Sequence, residues 1–197
     1  MLAFKDEIKV ATLDDIEGVL ALHKKYQIDT ILEEDKKDGF VTTSFTREQL
    51  TKLIEEEQGL FIATEGEAVI AYVMSASWQF WSAWPIFSHM VEQLPNLEYA
   101  GHKLSVDNSY QYGPVCVDKV YRGSGLLESI FDFARERMSY RYPILLTFIN
   151  KINTRSYTAH TQKLGLDVLA EFNFNNNQYF ELAYDTSKAL GLSKKHS

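Results

Sequence analysis

The sequence predicts an α/β protein, and three observations support this class. Short segments with the alternating apolar and β-branched pattern of strands are interleaved along the 197 residues with segments that carry apolar side chains at helical spacing. Two pairs of strand-like segments are separated by short polar turns typical of hairpins, at 65–67 and 175–177. Between these hairpins, an apolar strand at 112–117 leads through a glycine turn directly into a helix.

In the first half of the chain, two helices are predicted to start after Thr12 and after Thr46. Each threonine is followed three residues later by an acid or an amide, Asp15 or Gln49, which is the pattern of a capping box. The strands predicted in this half lie at 8–11, 60–64 and 68–78.

An aromatic-rich insertion at about 78–108 follows the first hairpin. Its aromatic side chains include Trp78, Phe80, Trp81, Trp84, Phe87 and Tyr99. They could fold back as a small satellite core, or they could form a wall of a small-molecule pocket, since such pockets have apolar walls with few polar groups. The sequence is compatible with both.

The glycine turn consists of Arg122, Gly123, Ser124 and Gly125. The helix predicted after it has one apolar face, formed by Leu127, Ile130, Phe131, Ala134 and Met138. The first amides of such a helix have no partner within the helix, and glycines let the backbone approach a ligand, so the turn suits an anion such as a phosphate. The alternative is a turn in which glycine only permits close packing.

The last third of the chain contains a predicted strand at 144–149, a helix that begins near Asn153, and the two strands of the second hairpin. We expect 191–197 to be a disordered tail, because terminal polar residues without a packing partner fray.

The glycine turn resembles the Arg/Gln-x-x-Gly-x-Gly/Ala pyrophosphate loop of the GNAT family of N-acetyltransferases, with Leu127 at the last position in place of Gly or Ala. A second similarity lies downstream, where 153–160 and Leu164-Gly165-Leu166 resemble the N-x-x-[AS] helix and the Leu-Gly-Phe that ends it. This chain has one extra residue between His160 and Leu164. The two matches occur in the family's order and at roughly its spacing.

The resemblance implies a single domain over 1–190 with a mixed, mostly antiparallel central sheet and helices on both faces. It also implies transfer of an acetyl or other short acyl group from acyl-CoA to a primary amine of a small molecule or peptide, by direct attack. The residues that it assigns to acyl-CoA are Val115, Cys116 and Val117 for the thioester end, Arg122, Gly123, Ser124, Gly125, Leu126 and Leu127 for the pyrophosphate, and Asn153 and Ser156 for the pantetheine arm. Asn153 could also simply cap its helix.

For the general acid, the resemblance points to the position seven residues after Asn153, where the family keeps a tyrosine and this chain has His160. Tyr157, one helical turn earlier, is the second candidate for the acid. No residue stands out as the general base, although Tyr112, Asp118 and His102 are candidates.

Composition narrows the classes of function. A net charge of −7 argues against nucleic-acid binding, and no apolar run approaches the length of a membrane span. Cys116 is the only cysteine, which excludes an internal disulfide and a cysteine-rich metal site and favours a reducing cytoplasm. We therefore expect acetyl-CoA as co-substrate, no metal, and an amine acceptor, with a homodimer as one option for the oligomeric state. The alternative function is a non-catalytic acyl-CoA-binding regulatory module, which Leu127 and the absence of the family's tyrosine keep open.

Overall fold

Strands and helices alternate along the chain in the computed structural model, which describes residues 6–27 and 43–191. The strands are β1 (Asp6–Val10), β2 (Leu60–Glu65), β3 (Ala68–Ala76), β4 (Glu98–Tyr99), β5 (His102–Lys103), β6 (Ser109–Val117), β7 (Ile144–Asn150), β8 (Asp167–Phe174) and β9 (Asn177–Asp185). The helices are α1 (Ile16–Tyr26), α2 (Arg47–Glu55), α3 (Trp78–Trp81), α4 (Pro85–Gln93), α5 (Leu126–Ser139) and α6 (Thr154–Thr158). The predicted disordered tail lies outside the described residues from position 192 onward.

Seven of the strands form one sheet in the order β1-β2-β3-β6-β7-β9-β8. Every neighbouring pair is antiparallel except β6 and β7, which run parallel. The prediction of a mixed, mostly antiparallel sheet is confirmed. None of the helices in the described ranges combines the length and hydrophobicity that a bilayer crossing requires.

Helices cover both faces of this sheet, as predicted. Alternate residues of β2 point to opposite faces, so Leu60 and Ile62 pack with α1, α2 and the 78–104 segment, whereas Phe61 and Ala63 pack with α5. We call the first side the α1 face and the second the α5 face. The capping boxes predicted at Thr12 and Thr46 are both present.

The aromatic insertion packs directly on the α1 face. Trp81 is fully buried, and its ring centroid lies 5.0 Å from that of Phe87 and 5.3 Å from that of Trp84. These side chains are continuous with the core cluster of the α1 face and do not form a separate satellite core. The short antiparallel pair β4–β5 completes the insertion.

The two parallel strands separate along their length, and this opening positions the candidate site. β6 and β7 pair only where Ser109–Gln111 lies beside Ile144–Leu146, although β6 continues to Val117 and β7 to Asn150. Gly113 and Pro114 follow the last paired residue, and proline has no N–H with which to extend a ladder. In the described ranges, the edge of β6 that faces β7 therefore has no strand partner beyond Gln111.

Candidate active site

Two cavities open from the gap between β6 and β7. The larger, about 420 Å³, is bordered by the glycine turn and we call it the loop cavity. The smaller, about 90 Å³, is lined in part by the side chains of Phe87, Phe148 and Tyr179, and we call it the aromatic cavity. Both are lined by the same four residues, Val115, Asn153, Ser156 and His160. A group bound in one cavity can therefore reach a group bound in the other at this point.

Glycine is needed in the turn because two of its residues have left-handed backbone angles. Gly123 has φ of 80° and Gly125, the N-cap of α5, has φ of 88°. The Ser124 hydroxyl donates to the carbonyl of Tyr121, which closes the turn. The first amides of the 14-residue helix α5, which lack partners within the helix, thus begin at the border of the loop cavity.

The charges at the loop cavity favour an anion. Among the described residues, Arg122, Arg155 and Lys163 line it, against a single carboxylate, Glu128. The Arg122 side chain is held in place, since its Nε donates to the carbonyl of Val117 at 3.1 Å and its guanidinium lies 5.1 Å from the ring centroid of Tyr26. Three cations and a helix N-terminus together favour a phosphate-bearing ligand.

Most of the residues predicted to hold acyl-CoA line the loop cavity. They are Val115, Cys116, Val117, Arg122, Gly123, Gly125, Leu127, Asn153 and Ser156. Ser124 and Leu126 do not line it. The Ser124 hydroxyl closes the turn, and the side chain of Leu126, the first residue of α5, is fully buried between that helix and the sheet. Leu127, predicted both on the apolar face of the helix and at the pyrophosphate, is half-buried: it packs against the core of the α5 face and also lines the cavity.

Cys116 is buried in β6, and burial raises the pKa of its thiol to about 12. The thiol is therefore protonated at neutral pH and a poor nucleophile. Asn153 both caps α6, where its Oδ1 accepts from the Ser156 amide at 3.4 Å, and lines the two cavities, so the two roles considered for it are compatible.

His160 lies where the cavities meet and is 4% exposed. Its Nδ1 is 2.8 Å from the carbonyl oxygen of Ser156, and its Nε2 is 3.1 Å from the hydroxyl of Tyr112. Burial lowers the pKa of His160 to about 4, so the ring is neutral at neutral pH. Because a carbonyl can only accept, Nδ1 carries the proton, and Nε2 accepts the hydrogen bond from the Tyr112 hydroxyl.

A π-helical turn at Ala159–Lys163 explains how His160 keeps this position despite the extra residue before Leu164. The Leu164 amide donates to the carbonyl of Ala159, five residues earlier, at 3.1 Å. A π-turn holds one more residue than an α-turn, so both His160 and Leu164 remain buried.

Tyr157 does not line either cavity. Its ring packs against Phe180 with centroids 4.6 Å apart, on the α5 face of the sheet. The sequence-based candidates for a general base are also placed apart from the cavities, except for Tyr112, which lines the aromatic cavity. His102 is exposed in β5. Burial acts to raise the pKa of Asp118, but hydrogen bonds from Tyr26 and Lys25 outweigh it and lower that pKa.

Several lining residues carry no signal in the sequence. Tyr26, from α1, accepts a hydrogen bond from the Lys119 amide at 2.7 Å and donates to Asp118 at 2.9 Å, so it fixes the chain that leads to the glycine turn. Residues of the aromatic cavity that were not predicted are Thr43, Phe87, Gln111, Gly113, Pro114, Thr147, Phe148, Ile149, Asn150 and Tyr179. Within residues 6–27 and 43–191, no group of three or more His, Cys, Asp or Glu side chains could hold a metal ion.

No protein-family model matches the sequence, and no curated protein matches it. Solved structures resemble the fold over nearly its whole length. The ribosomal-protein-S18-alanine N-acetyltransferase of Escherichia coli shares 11% identity, with 93% of this chain and 96% of the other covered and a TM-score of 0.59. An N-acetyltransferase of Staphylococcus aureus shares 16% identity, with coverages of 92% and 98% and a TM-score of 0.57. The yncA protein of Salmonella typhimurium, solved with its cofactor acetyl-CoA, shares 12% identity, with coverages of 92% and 94% and a TM-score of 0.61.

These likenesses, at low identity, concern the fold. The protein has the GNAT family fold.

Proposed function

We propose that the protein is an acyl-CoA-dependent N-acyltransferase, which moves an acetyl or other short acyl group to a primary amine by direct transfer. One observation carries the proposal: an anion-favouring cavity and an uncharged cavity meet at Val115, Asn153, Ser156 and His160. A thioester at the end of a phosphate-bearing cofactor and an amine would face each other there. Holding two reactants at such a point supplies much of the acceleration of a two-substrate reaction.

The loop cavity suits acyl-CoA along its length. The pyrophosphate would sit on the backbone of Gly123 and Gly125 at the start of α5, with Arg122, Arg155 and Lys163 as nearby cations. The pantetheine arm would run along the unpaired edge of β6 at 115–117, whose backbone groups are not used by β7. A backbone N–H of that edge would meet the oxyanion of the tetrahedral intermediate.

Direct transfer is favoured over an acyl-enzyme. Cys116 is the only cysteine and lines the loop cavity, but with a pKa of about 12 it holds its proton at neutral pH. The amine itself is then the nucleophile. It must attack as the neutral base, and the bond between the acyl carbon and sulfur breaks as the amide forms.

The departing thiolate needs a proton, and the Tyr112–His160 pair would supply it. His160 Nε2 has no proton to give while the ring is neutral, so we assign the donor role to the Tyr112 hydroxyl and a positioning role to His160. Burial raises the pKa of the Tyr112 phenol well above its usual value, so the phenolate does not form on its own. The phenol gives its proton to the thiolate as the amine nitrogen returns one to the phenol. A positioned acid of this kind contributes roughly 10²–10⁴-fold to the rate.

The test is release of free CoA thiol and formation of the N-acetylated amine, followed by mass spectrometry, with acetyl-CoA and a set of small primary amines. We expect Tyr112→Phe to lower kcat by about 10²-fold or more, with the affinity for acetyl-CoA unchanged. Tyr110→Phe is the matched control, because Tyr110 is equally buried two residues earlier on β6, faces the same side and has a hydroxyl without a partner in the described residues.

Binding of acetyl-CoA without any acetylated product from wild type would contradict the proposal and favour a regulatory acyl-CoA-binding module. Equal kcat values for Tyr112→Phe and Tyr110→Phe would remove Tyr112 from the mechanism.

A further inference from the structure

The aromatic cavity differs from the loop cavity in its charge. Among the described residues that line it, none is ionised at neutral pH: burial holds His160 neutral, and burial also raises the pKa values of Tyr112 and Tyr179, so both phenols keep their protons. The cations Arg122, Arg155 and Lys163 line the loop cavity and not this one. A carboxylate placed in the aromatic cavity would lose its hydration without gaining a counter-ion.

Gln111 lines this cavity and has an unused hydrogen-bond acceptor. Its side-chain Nε2 donates to the carbonyl of Tyr112 at 2.7 Å, which fixes the amide orientation, because a carbonyl can only accept. The other amide atom, Oε1, is buried and has no hydrogen-bond partner within the described part of the chain. The residue as a whole is 1% exposed. A buried acceptor without a partner is costly, and a ligand with N–H groups would relieve that cost.

The Gln111 side chain is also well supported. The Trp81 indole nitrogen donates to its backbone carbonyl at 3.3 Å, and its neighbour across the sheet is Leu146 of β7. The amide lies beside Gly113 and Thr147: a Cβ on Gly113 would be 3.8 Å from Gln111 Nε2 and 3.4 Å from Thr147 Oγ1. Both neighbours line the aromatic cavity, so the amide is part of its wall.

The remaining wall is aromatic. Phe87 and Phe148 have ring centroids 5.5 Å apart, and Phe148 and Tyr179 have centroids 5.4 Å apart. Ring faces attract a cationic or polarised N–H group and give nothing to a carboxylate. Glu181, which pairs across the sheet with Phe148, is 3% exposed and lies on the same face; it is an acid and therefore supplies no counter-ion to an anion there.

We infer that the acceptor is a small primary amine with no carboxylate beside its amino group, such as an alkylamine or an amidated amino acid, and that Gln111 Oε1 accepts a hydrogen bond from it. This inference rests on the proposed function and names the substrate class of the same site. A free amino acid is disfavoured because none of the described residues that line the aromatic cavity offers its carboxylate a cationic partner. The small volume, about 90 Å³, limits the group beside the amine to a short one.

Three probes test the inference: ethylamine, which is the smallest, and alaninamide and alanine, which match each other in size. They differ mainly in having no second polar group, an uncharged amide, or a carboxylate. We measure kcat/KM for each with saturating acetyl-CoA, and, independently of turnover, the binding of each to the CoA-loaded protein by NMR titration. We expect ethylamine and alaninamide to exceed alanine at least tenfold in both measurements.

The Gln111→Met variant removes the acceptor oxygen at nearly constant volume. We expect it to lower kcat/KM for ethylamine at least tenfold, while the dissociation constant of acetyl-CoA stays within twofold of the wild-type value. In Gln111→Lys, which places a cation in the cavity, we expect the ratio of alanine to ethylamine to rise. Both variants are compared with wild type in thermal unfolding, so that a loss of fold is recognised.

Alanine equal to or better than its uncharged partners, or no binding of any of the three to the CoA-loaded protein, would overturn the inference. Such an outcome with acetyl-CoA still bound leaves the cofactor site intact and separates this failure from that of the proposed function. If acetyl-CoA itself does not bind, both proposals fall.

Discussion

The loop cavity and the aromatic cavity open from the same gap, yet they are constructed differently. The loop cavity depends on backbone: two glycines with positive φ, a helix N-terminus and one strand edge, with cations at its border. The aromatic cavity depends on side chains from distant parts of the sequence, and none of those described is ionised. A local backbone motif can bind a phosphate-bearing cofactor. The specificity of the acceptor site, in contrast, depends on the side chains that the fold brings together.

The largest effect is expected from a charge placed in the loop cavity. Gly123→Asp puts a carboxylate where a pyrophosphate would lie, and repulsion between like charges about 4 Å apart near a protein surface is about 4 kcal/mol. We therefore expect the dissociation constant of acetyl-CoA, measured by calorimetry, to rise about 1000-fold.

The control for this change is Gly101→Asp. Gly101 has φ of 81°, against 80° for Gly123, and neither glycine has a neighbour within 4 Å of its would-be Cβ. The backbone strain is thus matched, but Gly101 lies in the β4–β5 turn, away from both cavities. Equal affinities for acetyl-CoA in the two variants would show that the glycine turn does not hold the phosphates.

The second-largest effect is expected on the free energy of unfolding, from the buried carboxyl of Glu181 in β9. Glu181 is buried with its Oε1 lacking a partner in the described residues, and burial raises its pKa to about 7 from 4.5. Between pH 4.5 and 7 the folded state keeps a proton that the unfolded state has lost, so stability falls as pH rises and the loss is complete above pH 7. Glu181→Gln should remove this loss and gain about 3 kcal/mol at pH 8, but nothing at pH 4.

Urea unfolding of wild type and variant at both pH values measures this difference. Glu171→Gln on β8 serves as the control, because Glu171 is exposed and pairs with Lys151 at 3.2 Å, an interaction of little weight. Titration of His160 cancels in the comparison, since it is present in every variant. A Glu181→Gln gain that is the same at pH 4 and pH 8 would mean that the carboxyl is not desolvated.

The smallest effect separates the two cavities by function. Phe87→Leu shortens one wall of the aromatic cavity, and we expect the KM of ethylamine to rise about tenfold, since lost contacts in an apolar pocket are worth about 1–3 kcal/mol. The affinity for acetyl-CoA should not change. Phe61→Leu, equally buried but on the α5 face, controls for the loss of packing. If the KM of ethylamine and the dissociation constant of acetyl-CoA rise together in Phe87→Leu, the cavities are not independent.

Local patterns predict the individual strands, helices and the glycine turn well, whereas the sheet topology was implied by the family resemblance. Capping boxes, alternating strands and the glycine turn each occupy a few consecutive residues, so their physical requirements are visible without the fold. The limit of such patterns appears at 126–127, where helical spacing could not tell that Leu126 is the buried residue and Leu127 the half-buried one.

The aromatic cavity could not be predicted, because its members come from separate elements that only the folded sheet brings together. The insertion was recognised as aromatic, but nothing in its spacing indicated that Phe87 would reach the gap between β6 and β7. The neutrality of His160 was equally hidden, since it follows from burial in the folded protein, and the hydrogen-bond partner of its Nε2, Tyr112, lies 48 residues earlier.

The central claim is that the loop cavity binds acyl-CoA, and a thermal unfolding measurement of the wild-type protein with and without acetyl-CoA tests it most directly. At a hundredfold excess over the dissociation constant, binding stabilises the folded state by about 2.7 kcal/mol, which for a chain of this size raises Tm by about 5–10 °C. We expect a rise in that range. An unchanged Tm at millimolar acetyl-CoA would contradict the account and would leave the glycine turn as a packing device.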